Sequence, residues 1–345
     1  MALRQWTRRG WQPPAGSVLI NPDDHAWYSG MMPGLLAGRF SREECAIPLQ
    51  PLCDAAGLEL ILDRVDALDT EDRRLQLSQS TRNYELLSIN TGSTPASPAE
   101  SDDSIPLVPA KPFRGFISAW EQWKQARSTP HLAILGGGPA AFELALSLQQ
   151  SLPRLRMTLV SDRPLLAGHP KKLASKARRF LHRKDITVIE NRRIDRIADG
   201  RLYAKEDFVL KADALILATG ATAQPWYREA SLEHDPSGFI RVDSTLQASG
   251  RADIFAAGDC ISLPGIQRSG VYSVRQGSTL ARNIPATLSG KALRKYQPQA
   301  QSLALLATAD GGALMSYRGR AAQGRLCGLW KDWLDRRFMR RHRLR

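Results

Sequence analysis

The feature that most narrows what this chain can fold into lies near its middle. His131-Leu132-Ala133-Ile134-Leu135 is a short apolar run, Gly136-Gly137-Gly138-Pro139-Ala140-Ala141 follows it, and Phe142-Glu143-Leu144-Ala145-Leu146 opens an apolar helix. A strand that turns through G-x-G-x-x-A into a helix leaves backbone N–H groups and the positive helix end free for a pyrophosphate. Arg156-Met157-Thr158-Leu159-Val160 reads as a second strand, with Asp162 just past its end, where a carboxylate accepts a ribose hydroxyl. Strand, glycines, helix and strand in that order predict a dinucleotide-binding unit whose contacts are Gly136, Gly138, Ala141 and Asp162.

A second pattern is a repeat. An apolar strand ends in a glycine turn at Tyr84–Pro95 and again at Ala214–Pro225, which places Asn90, Thr91 and Gly92 in one turn and Thr219 and Gly220 in the other. Two related units are implied, with residues 97–112, rich in Ser, Pro and Asp, as their connector. Further on, Ile254-Phe255-Ala256-Ala257 delivers Gly258 and Asp259, a place where backbone comes close to a ligand and a carboxylate accepts hydroxyl hydrogen bonds. Beyond Pro298, Leu303–Leu306 and Ala313–Met315 read as a hairpin through Asp310-Gly311-Gly312, followed by a basic helix.

The chain has 345 residues, room for about two domains, and a net charge of +14. Residues 316–345 hold ten Arg or Lys against two Asp, so the remaining body is only mildly basic. With no aromatic stacking module beside that charge, nucleic acid is not expected as a partner. No apolar run reaches the ~18 residues of a membrane span, and the first residues lack the apolar core of a signal peptide, so a cytoplasmic body is expected. The four Cys form no C-x-x-C pair and the six His no ligand spacing; neither a metal nor a sequence-adjacent redox disulfide is expected.

The glycine turn with Glu143, the Ala218-Thr219-Gly220 turn, Ala256-Ala257-Gly258-Asp259 and Gly270-Val271-Tyr272-Ser273-Val274-Arg275-Gln276-Gly277 together resemble the pyridine nucleotide-disulfide oxidoreductase superfamily. Tyr28–Gly38, the Ser88–Pro95 turn and Trp330–Met339 narrow the likeness to the branch related to type II NADH:quinone oxidoreductases, and within it to the flavoprotein module found ahead of selenide, water dikinase. The resemblance implies an α/β fold of two Rossmann-like, three-layer β/β/α domains, the second inserted in the first, plus a small α+β C-terminal domain. Residues 1–115 and 236–297 would form the FAD domain, 116–235 the NAD(P)H domain and 298–345 an interface domain. Asp259 would hold the ribityl chain, the backbone of Val274, Arg275 and Gln276 would lie against the flavin, and Asn90, Thr91 and Gly92 would line the adenosine side. Hydride would pass from NAD(P)H to FAD and electrons to a quinone-like or other small acceptor; the other class weighed is a nucleotide-binding module without turnover, distinguished by whether a yellow protein bleaches with NADH.

Glu143 would then sit between nicotinamide and flavin as a catalytic acid; the alternative is a surface Glu near the helix dipole or one bound to a Lys. Asp162 tilts the choice toward NADH, while Arg163 beside it suits a 2′-phosphate. Leu326, Leu329, Trp330, Trp333 and Leu334 recur at helical spacing ahead of an Arg cluster, which suits either a peripheral contact with the inner face of a membrane or packing on the FAD domain. Ala2–Gly10 reads as the first helix of the FAD domain and Ser17–Asn21 as its second strand, so the domain is expected to be N-terminally truncated, lacking its opening strand and first glycine loop. Gly30, Gly34 and Gly38 follow the second strand and cannot substitute. The 345-residue chain is accordingly expected to hold less than one FAD, and a chain extended upstream by that strand and loop to hold one, measured by absorbance of heat-released flavin.

Overall fold

The computed structural model describes residues 1–126, 130–266, 268–299 and 301–344. His131–Leu135 is the middle strand of a five-stranded parallel sheet ordered Leu107–Pro109, Ala214–Leu217, His131–Leu135, Arg156–Val160, Ile186–Ile189. A strand covered on both faces has to be apolar along its length, and this one divides its side chains between two cores. Leu132 and Ile134 pack with Phe142 and Leu146 of the helix layer, Ala133 and Leu135 with Ile197, Leu202 and Leu210 of an antiparallel meander. Helices Pro139–Ser151 and Lys171–His182 cover one face and strands Arg196–Ala198, Arg201–Ala204 and Asp207–Lys211 the other, the three-layer α/β arrangement expected. Residues 97–112 do more than connect. Glu100–Ser101 extends the meander and Leu107–Pro109 is the edge strand of the parallel sheet, where a proline is tolerated that a central strand would reject.

The other half is assembled from both sides of this unit. Leu87–Ile89 pairs in parallel with Ile254–Ala256, and Val18–Asn21 with Glu59–Leu62, each as a two-stranded sheet among the described residues. Helix Ala2–Arg9 forms as expected, ends on Gly10 in the left-handed conformation, and lies on the Gly270–Leu288 helix, where the Trp6 indole donates to Ala281 O at 3.0 Å. The repeated turns meet each other: Thr94–Pro95 pairs antiparallel with Ala221–Thr222, Thr219 Oγ1 donates to Ala96 O at 2.7 Å, and Ala96 N donates to Gly220 O at 3.1 Å. The repeat is therefore the strap by which the chain crosses between its halves.

The C-terminal hairpin forms at Ala304–Ala307 and Ala313–Tyr317, gains a third strand at Arg320–Gly324, and is followed by the terminal helix Arg325–His342. This helix buries Gly328, Lys331, Asp335, Met339 and His342, and turns Leu326, Leu329, Trp330 and Trp333 outward. Four residues of the apolar stripe thus lie on the outer face, and Leu334 is half-buried at its edge. No helix among the described residues is long and apolar enough to cross a membrane. Docking depends on Gly328, because a Cβ there would overlap the Gly311 carbonyl of the hairpin turn. Gly328→Ala is expected to lose about 1–3 kcal/mol of stability, read as a lowered denaturation midpoint, since backbone on both sides leaves no side chain to move aside.

Candidate functional site

In an open parallel sheet the ligand crevice lies beyond the carboxyl ends of the strands, where the strand order reverses. Here that point falls between His131–Leu135 and Ala214–Leu217, and the glycine turn and the Ala218–Thr219 turn come together there. Gly136 has φ +136, and a Cβ on it would overlap Ala218 O. Gly137, which the G-x-G reading passed over, packs as tightly against the Ser161 side chain at the end of the next strand. Gly138, by contrast, faces open space, and so does Gly220. The Pro139–Ser151 helix begins at Gly138 with no side-chain cap and with Pro139 in its first turn, so its free amides point into this opening. Ala141 is fully buried against the sheet. Asp162 sits exposed past Val160, with Arg163 Nε 3.8 Å from its Oδ1.

A second cluster forms at the ends of Leu87–Ile89 and Ile254–Ala256. Gly258, at φ +86, donates its N–H to the buried Gln276 Oε1 at 2.7 Å, and a Cβ on it would stand 3.4 Å from Asn90 Oδ1. Asp259 accepts Lys111 Nζ at 2.9 Å and the Ser273 hydroxyl at 3.4 Å. Lys111 carried no signal in the sequence beyond its place in the connector. Thr91 and Gly92 are tied by Tyr227, whose hydroxyl lies 2.6 Å from Thr91 Oγ1 and donates to Gly92 O at 2.8 Å. The Gly270–Leu288 helix opens at Ser269 without a side-chain cap, and helix geometry leaves the amides of Gly270 and Val271 free while those of Val274, Arg275 and Gln276 lie within the ladder.

Glu143 is neither a surface residue nor an isolated one. It projects from the glycine-turn helix to the C-terminal hairpin, where its Oε1 accepts the Ala307 N–H at 2.7 Å. Burial pushes its carboxyl up to about 7, against the pull of the Lys331 ammonium and the Ala307 N–H, with Asp335 adding to the rise. Lys331 donates to Gly30 O at 2.6 Å and to Asp335 Oδ2 at 2.9 Å; Tyr28 donates to Asp335 Oδ1 at 3.1 Å. Burial works against the Lys331 charge, yet the Glu143 and Asp335 carboxylates hold its pKa above the ordinary lysine value. Residues from three distant stretches meet here, and only Glu143 was singled out as a site by its sequence pattern.

The sequence pattern of the family described as pyridine nucleotide-disulphide oxidoreductase matches residues 15–283, well over half of the chain. The chain belongs to that family. As a member it is an FAD-dependent oxidoreductase that uses NAD(P)H. It is 26% identical over 347 residues to "Demethylphylloquinone reductase NdbB" of Synechocystis sp., covering 94% of this chain and 84% of that protein. It is also 26% identical over 198 residues to "Ferroptosis suppressor protein 1" of Xenopus tropicalis, over 53% of this chain and 52% of that one. Among solved structures, the sulfide:quinone oxidoreductase of Aquifex aeolicus superposes with a TM-score of 0.78 at 15% identity, over 99% of this chain and 89% of that one. The water-forming NADH oxidase of Lactobacillus brevis gives a TM-score of 0.72 at 18% identity, over 92% and 72% of the two chains. At these identities the superpositions speak for the fold alone.

The chain's own residues fit both family cofactors. The open Gly138 and Gly220 and the uncapped helix end suit the NAD(P)H pyrophosphate, and Gly258, Asp259 and the uncapped Gly270–Leu288 helix suit the hydroxyls and polar ring edge of FAD. A disulfide relay between them is not formed by Cys260, which is fully buried, donates to Ala257 O at 3.0 Å and has its thiol pushed up to about 12 by burial. Gly136→Ala is expected to keep flavin and lose NAD(P)H affinity at least ~10-fold by isothermal titration, since both the positive φ and the Ala218 carbonyl oppose a Cβ. Glu143 also marks stability. Its folded pKa lies above that of an exposed Glu, so its contribution is full below pH ~4 and is lost as pH rises through about 7. Glu143→Gln is therefore expected to gain stability over wild type from pH 5 to pH 8, on the order of 3 kcal/mol at most, in paired denaturation curves.

Proposed function

We propose that this family member oxidises NAD(P)H, with NADH favoured, and passes the electrons to a quinone-like acceptor drawn from a membrane surface. The observation that carries the reading is the two-sidedness of the terminal helix. Its outer face leaves Leu326 82%, Leu329 61%, Trp330 44% and Trp333 48% exposed, while its inner face brings Lys331 and Asp335 to Glu143. An apolar stripe with Trp, followed by Arg336, Arg337, Arg340 and Arg341, suits the acyl–headgroup boundary of an anionic bilayer. A lipid-borne acceptor approaching along that helix would arrive beside the acid–base cluster of Glu143, Lys331 and Asp335. The quinone-reducing activity in the name of the Synechocystis relative supports the same class of acceptor.

Bound FAD supplies the hydride acceptor and the two-electron donor. The glycine turn and the uncapped helix end would hold the pyrophosphate of the nicotinamide nucleotide, and Asp162 would take its ribose hydroxyls, with Arg163 close enough to favour a 2′-phosphate instead. Asp259, positioned by Lys111 and Ser273, would accept hydroxyls of the flavin side chain. Quinone reduction consumes two electrons and two protons, of which the hydride brings only one proton; the second has to come from solvent through the protein. Glu143, poised near neutral pH and hydrogen-bonded on one oxygen only among the described residues, is suited to pass that proton on, with Lys331 holding the developing negative charge of the acceptor.

A panel of short-chain quinones, oxygen, and selenium or sulfur species assayed for NADH oxidation tests the acceptor; turnover confined to the last group overturns a quinone. Glu143→Gln is expected to retain flavin and lose ~10²–10⁴ of quinone turnover. Trp330→Ser with Trp333→Ser is expected to abolish salt-sensitive co-sedimentation with anionic vesicles while leaving turnover of a water-soluble quinone intact.

A further inference from the structure

Asp335 is the least expected charge in this protein. It is 5% exposed, on the inner face of the terminal helix, and both of its carboxylate oxygens are used: Oδ1 by the Tyr28 hydroxyl at 3.1 Å and Oδ2 by Lys331 Nζ at 2.9 Å. Tyr28 is itself fixed, its ring stacked on Phe338 with centroids 4.3 Å apart. Lys331 sits one turn before Asp335 on the same face and reaches across to Gly30 O at 2.6 Å. We propose that Asp335, clamped by Tyr28, is a positioning residue that fixes the Lys331 ammonium beside Glu143 and thereby sets the pH at which Glu143 gives up its proton. The proposal rests on the reading of Glu143 as the proton carrier for the acceptor, and names what tunes it.

The surroundings of Glu143 leave these two groups to set its charge. The segment 32–36 packed on its helix is Met-Pro-Gly-Leu-Leu, the hairpin strand is Ala-Leu-Leu-Ala, and the inward residues of the Lys171–His182 helix are Leu173, Ala174, Ala177 and Leu181. His131 and Arg156 stand at the first residues of their strands, at the end of the sheet away from the glycine turn, and His131 is engaged with Thr158 at 2.9 Å. On the terminal helix, Asp332 is neutralised by Arg39. Lys331 draws a proton off Glu143, whereas Asp335 occupies part of the Lys331 charge and repels the Glu143 carboxylate. In a buried junction these effects are screened less than at the surface, so the negative charge at Asp335 bears on how much of the ammonium is left for Glu143.

Asparagine at 335 keeps the shape and an acceptor for Lys331 while removing the charge. In protein labelled with glutamate carrying carbon-13 in the side-chain carboxyl, the resonance lost in Glu143→Gln identifies Glu143. Its titration midpoint is expected to fall by about half a pH unit or more in Asp335→Asn. Tyr28→Phe removes only the donor to Asp335, eases its protonation, and is expected to move the midpoint the same way by less; it carries the test if Asp335→Asn does not fold. The alkaline limb of kcat against pH, with NADH and a short-chain ubiquinone, is expected to follow the midpoint in each variant. A midpoint unchanged or raised in the variants overturns the proposal. A midpoint that falls while the kcat profile does not follow leaves the hold of Asp335 on Glu143 in place and overturns instead the reading of Glu143 as the proton carrier.

Discussion

A buried ammonium group has to be surrounded, and the Lys331 ammonium is surrounded by parts of the chain that nothing in their sequence separation brings together. Its partners are a backbone carbonyl at Gly30, a carboxylate one helical turn away at Asp335 and the charge of Glu143. Taking away the Asp335 carboxylate with no other acceptor in its place leaves the ammonium short of a partner in a low-dielectric place, which costs far more than losing a surface pair. The terminal helix is therefore held with its polar face inward. Around the buried center, Arg336 pairs with Glu44 at 2.7 Å and the Arg343 guanidinium donates to Ala46 O at 2.8 Å, so the seam between the helix and the segment 28–46 is largely polar.

The consequence of that seam is the outer face. With Gly328, Lys331, Asp335 and Met339 committed to the inner face, Leu326, Leu329, Trp330 and Trp333 fall on the outer one, beside the exposed Arg336, Arg337, Arg340 and Arg341. Site chemistry and surface character are thus two sides of one element. The same economy holds at the switch point, where Gly136 lets the glycine turn touch the Ala218 carbonyl and the turn after Leu217 goes on to pair with Thr94–Pro95. The nucleotide crevice and the strap between the halves are thus built from consecutive residues, Ala218 to Thr222.

Much of the architecture was legible before any coordinates, because it depends on local rules. The apolar run 131–135 cannot be a surface strand, and three glycines followed by Pro139 leave few alternatives to a turn entering a helix. The hairpin at 304–317 and the first helix ending at Gly10 were readable for the same reason: Gly positions and alternation act within a few residues. Residues 97–112 have the composition of a plain connector, yet they hold an edge strand, because a three-residue edge strand takes its pairing from the neighbour at 214–217 and not from its own composition.

What the sequence determined by itself is the set of backbone conformations: where strands run, where glycine is required, and where a helix end is left open for a phosphate. What only the tertiary structure decided is which charges meet. Tyr28, Lys331 and Asp335 have no spacing that relates them to Glu143, and the amphipathic stripe of the terminal helix reads equally well as a core face or a surface. The choice between those came from the burial of Lys331 and Asp335, whose desolvation cost is offset only where partners from other segments are in place; that is a property of the assembled fold and not of any stretch of its chain.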